Sequence, residues 1–420
     1  MVLNKPNREG PVMAAIRDEA LRARPDVKFR IVPYEAMFDG SALAFRPDVV
    51  VTFPLTGIGS ADLIYPFKWH YKAAVISLRA EGVVNPDSES NIADHIGYDR
   101  YGPHLVDWEV FWGPGMTEIV GGALLRQKKL SSPERLLYFG YPRLERYFRQ
   151  PEMSADPVSG EVQRRIASSG ARHRVLFVTG FHLGNYSRED LYAAQDLDAE
   201  NREQELLQMV RETQAFRGAF IEGVLASASR HPEILFVLKK HPTERREDYA
   251  RLEGVSNVLY VWQDVDVADL MQHASLFVHY GSTTLADAYL ARVASIYVHA
   301  ETALARKVYN NMGWPSTRTV SVSGLPGAID DFAAGGLRFE ITREITDMLA
   351  FHFNIRLGQP YRPARELAEL LLDPGAPQRV RLTDRHFVSA LGKHAYRRAR
   401  RAIGRPIRRL LNRLSTRPVR

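Results

Sequence analysis

Short apolar runs alternate with longer stretches of helical periodicity along most of the chain. In the first third, VKFRIV (27–32), PDVVVTF (47–53), AAVISL (73–78), WEVFW (108–112) and RLLYFG (135–140) have the near-continuous hydrophobicity of strands buried on both faces. Helical patterns lie at 10–24, ending before Pro25, and at 114–128. The alternation restarts with RVLFVTG (174–180), EILFVLK (233–239), NVLYVW (257–262), SLFVHY (275–280) and ASIYVH (294–299). Between these runs the periodicity is helical over 198–230, 266–273 and 283–291, and it is helical again from 340 to 372. Strand–helix alternation of this kind predicts an α/β fold with mainly parallel sheets.

The alternation breaks once. Between residues 149 and 172, QPEMSADPVSG and RIASSGARH gather proline, serine and glycine around one short helical piece, which marks a domain junction. A length of 420 residues suits two cores rather than one, because single cores stop growing near roughly 250–300 residues. The expected layout is a first α/β domain over 1–150, a second over 171–325, helices over 326–372 and a tail over 373–420.

Composition narrows the chemistry. There is no cysteine, which excludes disulfides, thiolate metal sites and cysteine nucleophiles. No run of apolar residues is long enough to span a bilayer, and MVLNKPNREG lacks the apolar centre of a signal peptide, so a cytoplasmic protein is expected. The net charge of +7 is unevenly placed: residues 379–420 hold fourteen Lys/Arg against Asp384, a local +13, leaving 7 − 13 = −6 for the body. A mildly acidic body argues against a nucleic-acid-binding core, and the basic tail points to an anionic surface. Within the tail, Ile403, Ile407, Leu410, Leu411 and Leu414 recur at mostly helical spacing among arginines, as in an amphipathic helix lying on a membrane.

The strongest chemical signal is FVLKKHP (236–242), an apolar strand ending in Lys239, Lys240, His241 and Pro242. In open α/β sheets ligands bind beyond the carboxyl ends of strands. Pro242 fixes the turn that carries His241, a lysine neutralises phosphate, and a histidine donates to phosphate or sugar oxygens. His231–Pro232 is an internal control: the same dipeptide lies at the amino end of that strand and is assigned no function. The second signal is FVHYGSTTLADAYLA (277–291), where Gly281, Ser282, Thr283 and Thr284 open a helix after a strand. One hydroxyl suffices for a plain cap; three after a glycine suggest a phosphate site.

The loop TGFHLGNYSRED (179–190) follows the first strand of the second half. Gly180 and Gly184 permit close backbone approach and Asn185 can hydrogen-bond, so these three are placed at a cleft. The loop lacks the dinucleotide glycine fingerprint. In the first half, Glu81 beside Gly82 follows a strand and is placed to act as base or nucleophile, while Asp107 is a weaker alternative that equally suits a turn. Asp264–Val265–Asp266 is read as a helix cap rather than a metal motif. The thirteen histidines show no zinc spacing, and neither metal nor cofactor is expected.

Taken in order, Glu81–Gly82, Lys239-x-His241–Pro242 and Gly281–Thr284 resemble the acidic-Gly, His-Pro and Ser/Thr motifs of bacterial GT-B glycosyltransferases that use CMP-activated sugars. LYFGYPRLERY (137–147) and RVLFVTGFHLGN (174–185) also look like a group of surface carbohydrate biosynthesis proteins. The resemblance implies a GT-B-like fold, two Rossmann-like domains facing a central cleft, with the basic helical tail appended. It implies Glu81 as catalytic carboxylate, His241 against the nucleotide phosphate or the sugar with Pro242 shaping the turn, and Ser282 and Thr283 on the phosphate with Thr284 as a helper. It further implies a nucleotide-sugar donor, CMP-linked, and a glycan or lipid-linked acceptor at the inner face of the membrane. The sequence departs from the motifs at Ala80 and Tyr141. Three alternatives stay open: a CDP-polyol phosphotransferase, a non-catalytic component of a polysaccharide assembly, and a sugar 2-epimerase.

Overall fold

The computed structural model describes residues 1–3, 6–33, 41–52, 64–79, 83–84, 92, 95–96, 105–130, 132–149, 156–186, 199–308 and 313–375. Glu81, Gly82 and the basic segment 379–420 lie outside the described residues. The chain divides into two compact units, one running to Glu145 and resuming at Leu349, the other spanning Arg146–Met348.

The first unit is built on four parallel strands in the order β3 (Val49–Thr52), β4 (Ala74–Leu78), β5 (Trp108–Phe111) and β6 (Leu136–Tyr138). Every residue of β4 is buried, which is why its sequence reads as one apolar run. A second parallel pair joins β1 (Val2–Leu3) to β2 (Val32–Pro33). The run 27–32, expected as a full strand, pairs only at its end; Lys28 and Arg30 are solvent-exposed and give it no second face to bury. Helix α1 (Pro6–Ala23) packs against the helix Pro363–Leu372.

Residues after 348 thus close the first unit although they follow the second in sequence. The Tyr361 hydroxyl accepts from the Tyr141 N–H at 2.7 Å, and the Ala364 N–H donates to Glu145 at 2.5 Å. Gly140 makes room for this: its φ is +102°, and a Cβ there would stand 2.5 Å from the Tyr361 hydroxyl.

The second unit holds six parallel strands: β7 (His173–Val178), β8 (Ile234–Lys239), β9 (Val258–Val261), β10 (Leu276–His279), β11 (Ala294–His299) and β12 (Arg318–Ser321). Their order is β12-β11-β10-β7-β8-β9. Numbered within the unit this is 3-2-1-4-5-6 read from the β9 edge, the doubly wound Rossmann arrangement, in which the winding reverses between β7 and β10. The long helix Ala199–Arg230 buries Phe216, Phe220 and Val224 against this sheet. The edge strand β12 escapes sequence detection because its residues are exposed or half-buried and form no apolar run.

Candidate functional site

Where the winding of a doubly wound sheet reverses, the loops leaving the two central strands diverge and open a crevice at their carboxyl ends. Here those loops follow β7 and β10, and the loop after β8 stands beside the first. All three carry residues picked out by sequence. Their chemistry is therefore gathered on one edge of one sheet.

The β8 loop is built from its own lysines. Lys240, 7% exposed, turns its ammonium back to the carbonyl oxygens of His241 and Glu244, each at 2.8 Å, and of Pro242 at 3.3 Å. Three charge-assisted bonds from one side chain hold the turn closed. Lys239 is buried at the end of β8; burial lowers its pKa, while the charges of Asp264 and Asp266 oppose that fall. His241 is half-buried and Pro242 exposed. The His241 Nδ1 lies 2.7 Å from the Thr243 hydroxyl and 3.3 Å from the Thr243 N–H. Because Nδ1 accepts the backbone bond, this network assigns the ring proton to Nε2, making that atom the donor.

Glu244 binds the β7 and β8 loops to each other. Only 4% exposed, its carboxylate accepts from the Thr179 hydroxyl and the Phe181 N–H on one loop and from the His241 N–H at 3.1 Å on the other. The His241 N–H also reaches the Thr179 Oγ1 at 3.0 Å. Burial pushes the Glu244 carboxyl up, and the bond from Thr179 holds it down. Neither Glu244 nor Thr179 is picked out as a site residue by the sequence; the cue available for Glu244 was a carboxylate three positions past His241.

On the β7 loop, the His182 and His241 rings lie 5.5 Å apart between centroids, tilted by 31°. Gly180 admits the Tyr280 hydroxyl, which would lie 3.0 Å from a Cβ there, and Tyr280 stacks on Phe181 at 4.1 Å. The close approach at Gly184 is to the long helix: its Cβ would stand 3.2 Å from the Thr213 methyl. Asn185 accepts from Arg217 at 2.7 Å, and Arg217 also pairs with Asp248 at 2.7 Å. The glycines and Asn185 thus fix the loop from behind.

The β10 loop turns at Gly281, whose φ of +102° excludes most side chains. Ser282 accepts the Thr284 N–H at 3.2 Å, so one of the three hydroxyls makes the turn; Thr283 is exposed, and Thr284 occupies the cap position without a side-chain cap bond. Beneath them His279 is fully buried. Its Nδ1 accepts the Gly281 N–H at 3.3 Å and its Nε2 meets the Ser316 hydroxyl at 3.2 Å. Burial drives its pKa down to about 3, so it is a neutral brace.

Asp266 accepts the Ala268 N–H at 3.0 Å, as a helix cap does. Arg146 bonds both Asp266 and Asp269. Among the described residues no group of three His, Asp or Glu is placed to hold a metal ion. His231, the control, lies at the amino end of β8 and pairs with Asp330 at 2.8 Å.

In the first unit, Asp107 is buried at the amino end of β5, paired with Lys68 at 2.5 Å and accepting the Val75 N–H at 2.6 Å. It ties strands together at the amino edge of the sheet. The opposite edge carries Arg79, buried and 2.5 Å from Glu109, beside Trp112 stacked on Tyr141 at 3.9 Å. Burial raises the Glu109 pKa, and the Arg79 charge opposes the rise.

No family model matches this chain, and no curated protein matches it in sequence. Solved structures do. The wall teichoic acid polymerase TagF, soaked with CDPG, is 12% identical over 86% of this chain and 84% of that one, with a TM-score of 0.51. A Listeria monocytogenes protein described as a UDP-N-acetylglucosamine 2-epimerase is 11% identical over 90% and 97%, with a TM-score of 0.50. These likenesses show the fold: a two-domain α/β chain with parallel sheets, like these GT-B neighbours.

Proposed function

We propose that the chain is a transferase of cell-surface polymer synthesis that takes a nucleotide-activated donor, whose phosphates lie across the loops after β7, β8 and β10. One arrangement supports this reading: His241 on the loop after β8 and Ser282 and Thr283 on the loop after β10 flank the β7 loop at the carboxyl edge of a 3-2-1-4-5-6 sheet, on loops braced from beneath by Glu244 and His279. Braced donors facing a developing negative charge are what phosphate departure requires.

Transfer of a sugar to a glycan or lipid-linked acceptor is the leading reaction, with Glu81 as base or nucleophile and no metal. The motif resemblance favours a CMP-linked sugar. A second reading, transfer of a polyol phosphate from a CDP-polyol such as CDP-glycerol, draws support from the fold shared with TagF, a structure soaked with CDPG. In either case the protein works at the cytoplasmic face of the membrane, held there by residues 379–420, in capsule, O-antigen or wall-polymer assembly.

The test is calorimetric titration with CMP, CDP, UDP and GDP. Loss of a hydrogen bond to a charged group is worth about 1.5–3 kcal/mol. His241→Ala is therefore expected to bind the preferred nucleotide at least tenfold more weakly, and unchanged affinity removes His241 from the site. Glu81→Gln is expected to bind normally and lose transfer. Full transfer by that variant removes Glu81.

A further inference from the structure

We infer that the amino edge of the first unit's sheet, together with residues 379–420, forms one surface that lies against an anionic lipid leaflet. This rests on the membrane reading above and adds to the tail a folded face that orients the first unit.

The described chain of this unit ends on that edge. Trp108 opens β5, and its Nε1–H donates to the Pro374 carbonyl at 2.8 Å. The helix Pro363–Leu372 sets out from the other edge, where Tyr361 meets Tyr141 just beyond β6. It therefore brings the chain across to the start of β5. Arg379 follows Gly375 by four residues, which reach at most about 14 Å. The fourteen Lys/Arg of residues 379–420 thus begin beside this edge.

The edge is basic in its own right, because connections entering the parallel strands of one sheet all gather there. Helix α1 runs in the same sense: Glu9, Val12 and Met13 from its first half line a pocket with Arg79 and Trp112, which follow β4 and β5. Its far end and residues 24–31 accordingly lie toward the amino edge, and they carry Arg24, Lys28 and Arg30 against Asp26. Before β3 Arg46 is offset by Asp48; before β4 stands Lys72; before β6 Lys128 and Arg135 outweigh Glu134. All are exposed except Arg135, which is half-buried. Among the described residues of these connections, buried Lys129 apart, seven cations face three carboxylates, a net of +4 on a body that sums to −6. Two half-buried tryptophans stand with them. The Lys72 ammonium lies 5.4 Å over the Trp69 ring, and the Arg135 guanidinium 4.9 Å over that of Trp108. Indoles backed by cations suit the headgroup layer, which accommodates an apolar ring and a charge together. The apolar positions Ile403, Ile407, Leu410 and Leu414 among the tail's arginines favour lipid over nucleic acid, which draws charge but needs no apolar face.

The experiment measures partitioning of the full chain onto phosphatidylglycerol–phosphatidylcholine vesicles, with phosphatidylcholine alone and a duplex DNA oligomer as comparisons. Each basic residue near an anionic surface is worth about fivefold in affinity. The variant Lys28→Gln/Lys72→Gln/Lys128→Gln is therefore expected to bind about a hundredfold more weakly. Arg356→Gln/Arg362→Gln removes exposed charges at the other edge, between Phe353, stacked on Trp112, and the helix Pro363–Leu372. That control should stay within about twofold of wild type, against about 25-fold if only total charge mattered. Four net charges alone amount to about millimolar affinity, so the chain without residues 379–420 is not expected to sediment. Melting curves separate lost affinity from lost fold; if the triple variant melts early, Lys72→Gln alone, expected at about fivefold, carries the test. Equal affinity of wild type and the folded edge variant overturns the edge and leaves the tail as the anchor. Weakening by the control at the same rate per charge reduces the effect to overall charge and overturns it too. Displacement from the vesicles by the duplex at equal phosphate concentration overturns the lipid assignment. Failure of wild type to bind anionic vesicles sinks this inference together with the membrane reading.

Discussion

Replacing Glu244 with alanine tests whether one buried carboxylate organises the site. Hydrogen bonds to a charged group are worth about 1.5–3 kcal/mol each, and Glu244 accepts three, from Thr179, Phe181 and His241. The full sum overstates the loss. The Thr179 hydroxyl can turn to the Lys239 carbonyl at 3.3 Å, and the His241 N–H keeps the Thr179 Oγ1 at 3.0 Å. Removing a buried charge also recovers some solvation. What remains is one orphaned N–H, at Phe181, and two weakened bonds, a loss of about 3 kcal/mol. For a unit of about 200 residues, each kcal/mol moves the melting midpoint by about 2–4 °C, so a fall of about 6–12 °C is expected. Circular dichroism melts read the midpoint, and calorimetry on the folded variant reads nucleotide affinity, which should drop at least tenfold as the two loops separate. A midpoint within about 2 °C of wild type, with unchanged affinity, would falsify the claim that Glu244 holds the loops.

Two further outcomes follow from other features. His279 has a folded pKa near 3, below the ordinary 6.5. In the unfolded chain it takes up a proton as pH falls through about 6.5, which the folded state refuses until about 3. It therefore costs the fold about 1.4 kcal/mol per pH unit across that window; urea unfolding at pH 7, 6 and 5 should show a shallower loss for His279→Gln, and an identical slope would dismiss the account. Deleting residues 379–420 is expected to abolish sedimentation with anionic vesicles, since each basic residue near such a surface contributes about 1 kcal/mol. Persistent binding by the truncated chain would place the anchor elsewhere.

Strands buried on both faces were legible in the sequence because burial leaves an unbroken apolar run, as in β4 and β8. Where one condition failed, so did the reading: Lys28 and Arg30 face solvent, and β12 has no apolar run. The His-Pro and Gly-Ser-Thr-Thr loops were legible because each follows a strand directly. Glu244 was not, since its bracing of two loops depends on β7 and β8 being neighbours, a pairing that no local pattern encodes. The return of the chain to the first unit was equally hidden. It rests on contacts such as Tyr141 with Tyr361, 220 residues apart.

That return has a bearing on how the protein can be made and cut. The second unit, Arg146–Met348, is continuous and interrupts the first, whose later pieces emerge from the ribosome only after the whole second unit has been made. A fragment stopping at 145 would lack the Tyr361 hydroxyl that receives the Tyr141 N–H and the helix that covers α1. The first unit is thus assembled by waiting, its early strands held incomplete until the later residues arrive. The second carries all of its own strands in one stretch of chain, and it is the piece to excise for expression alone.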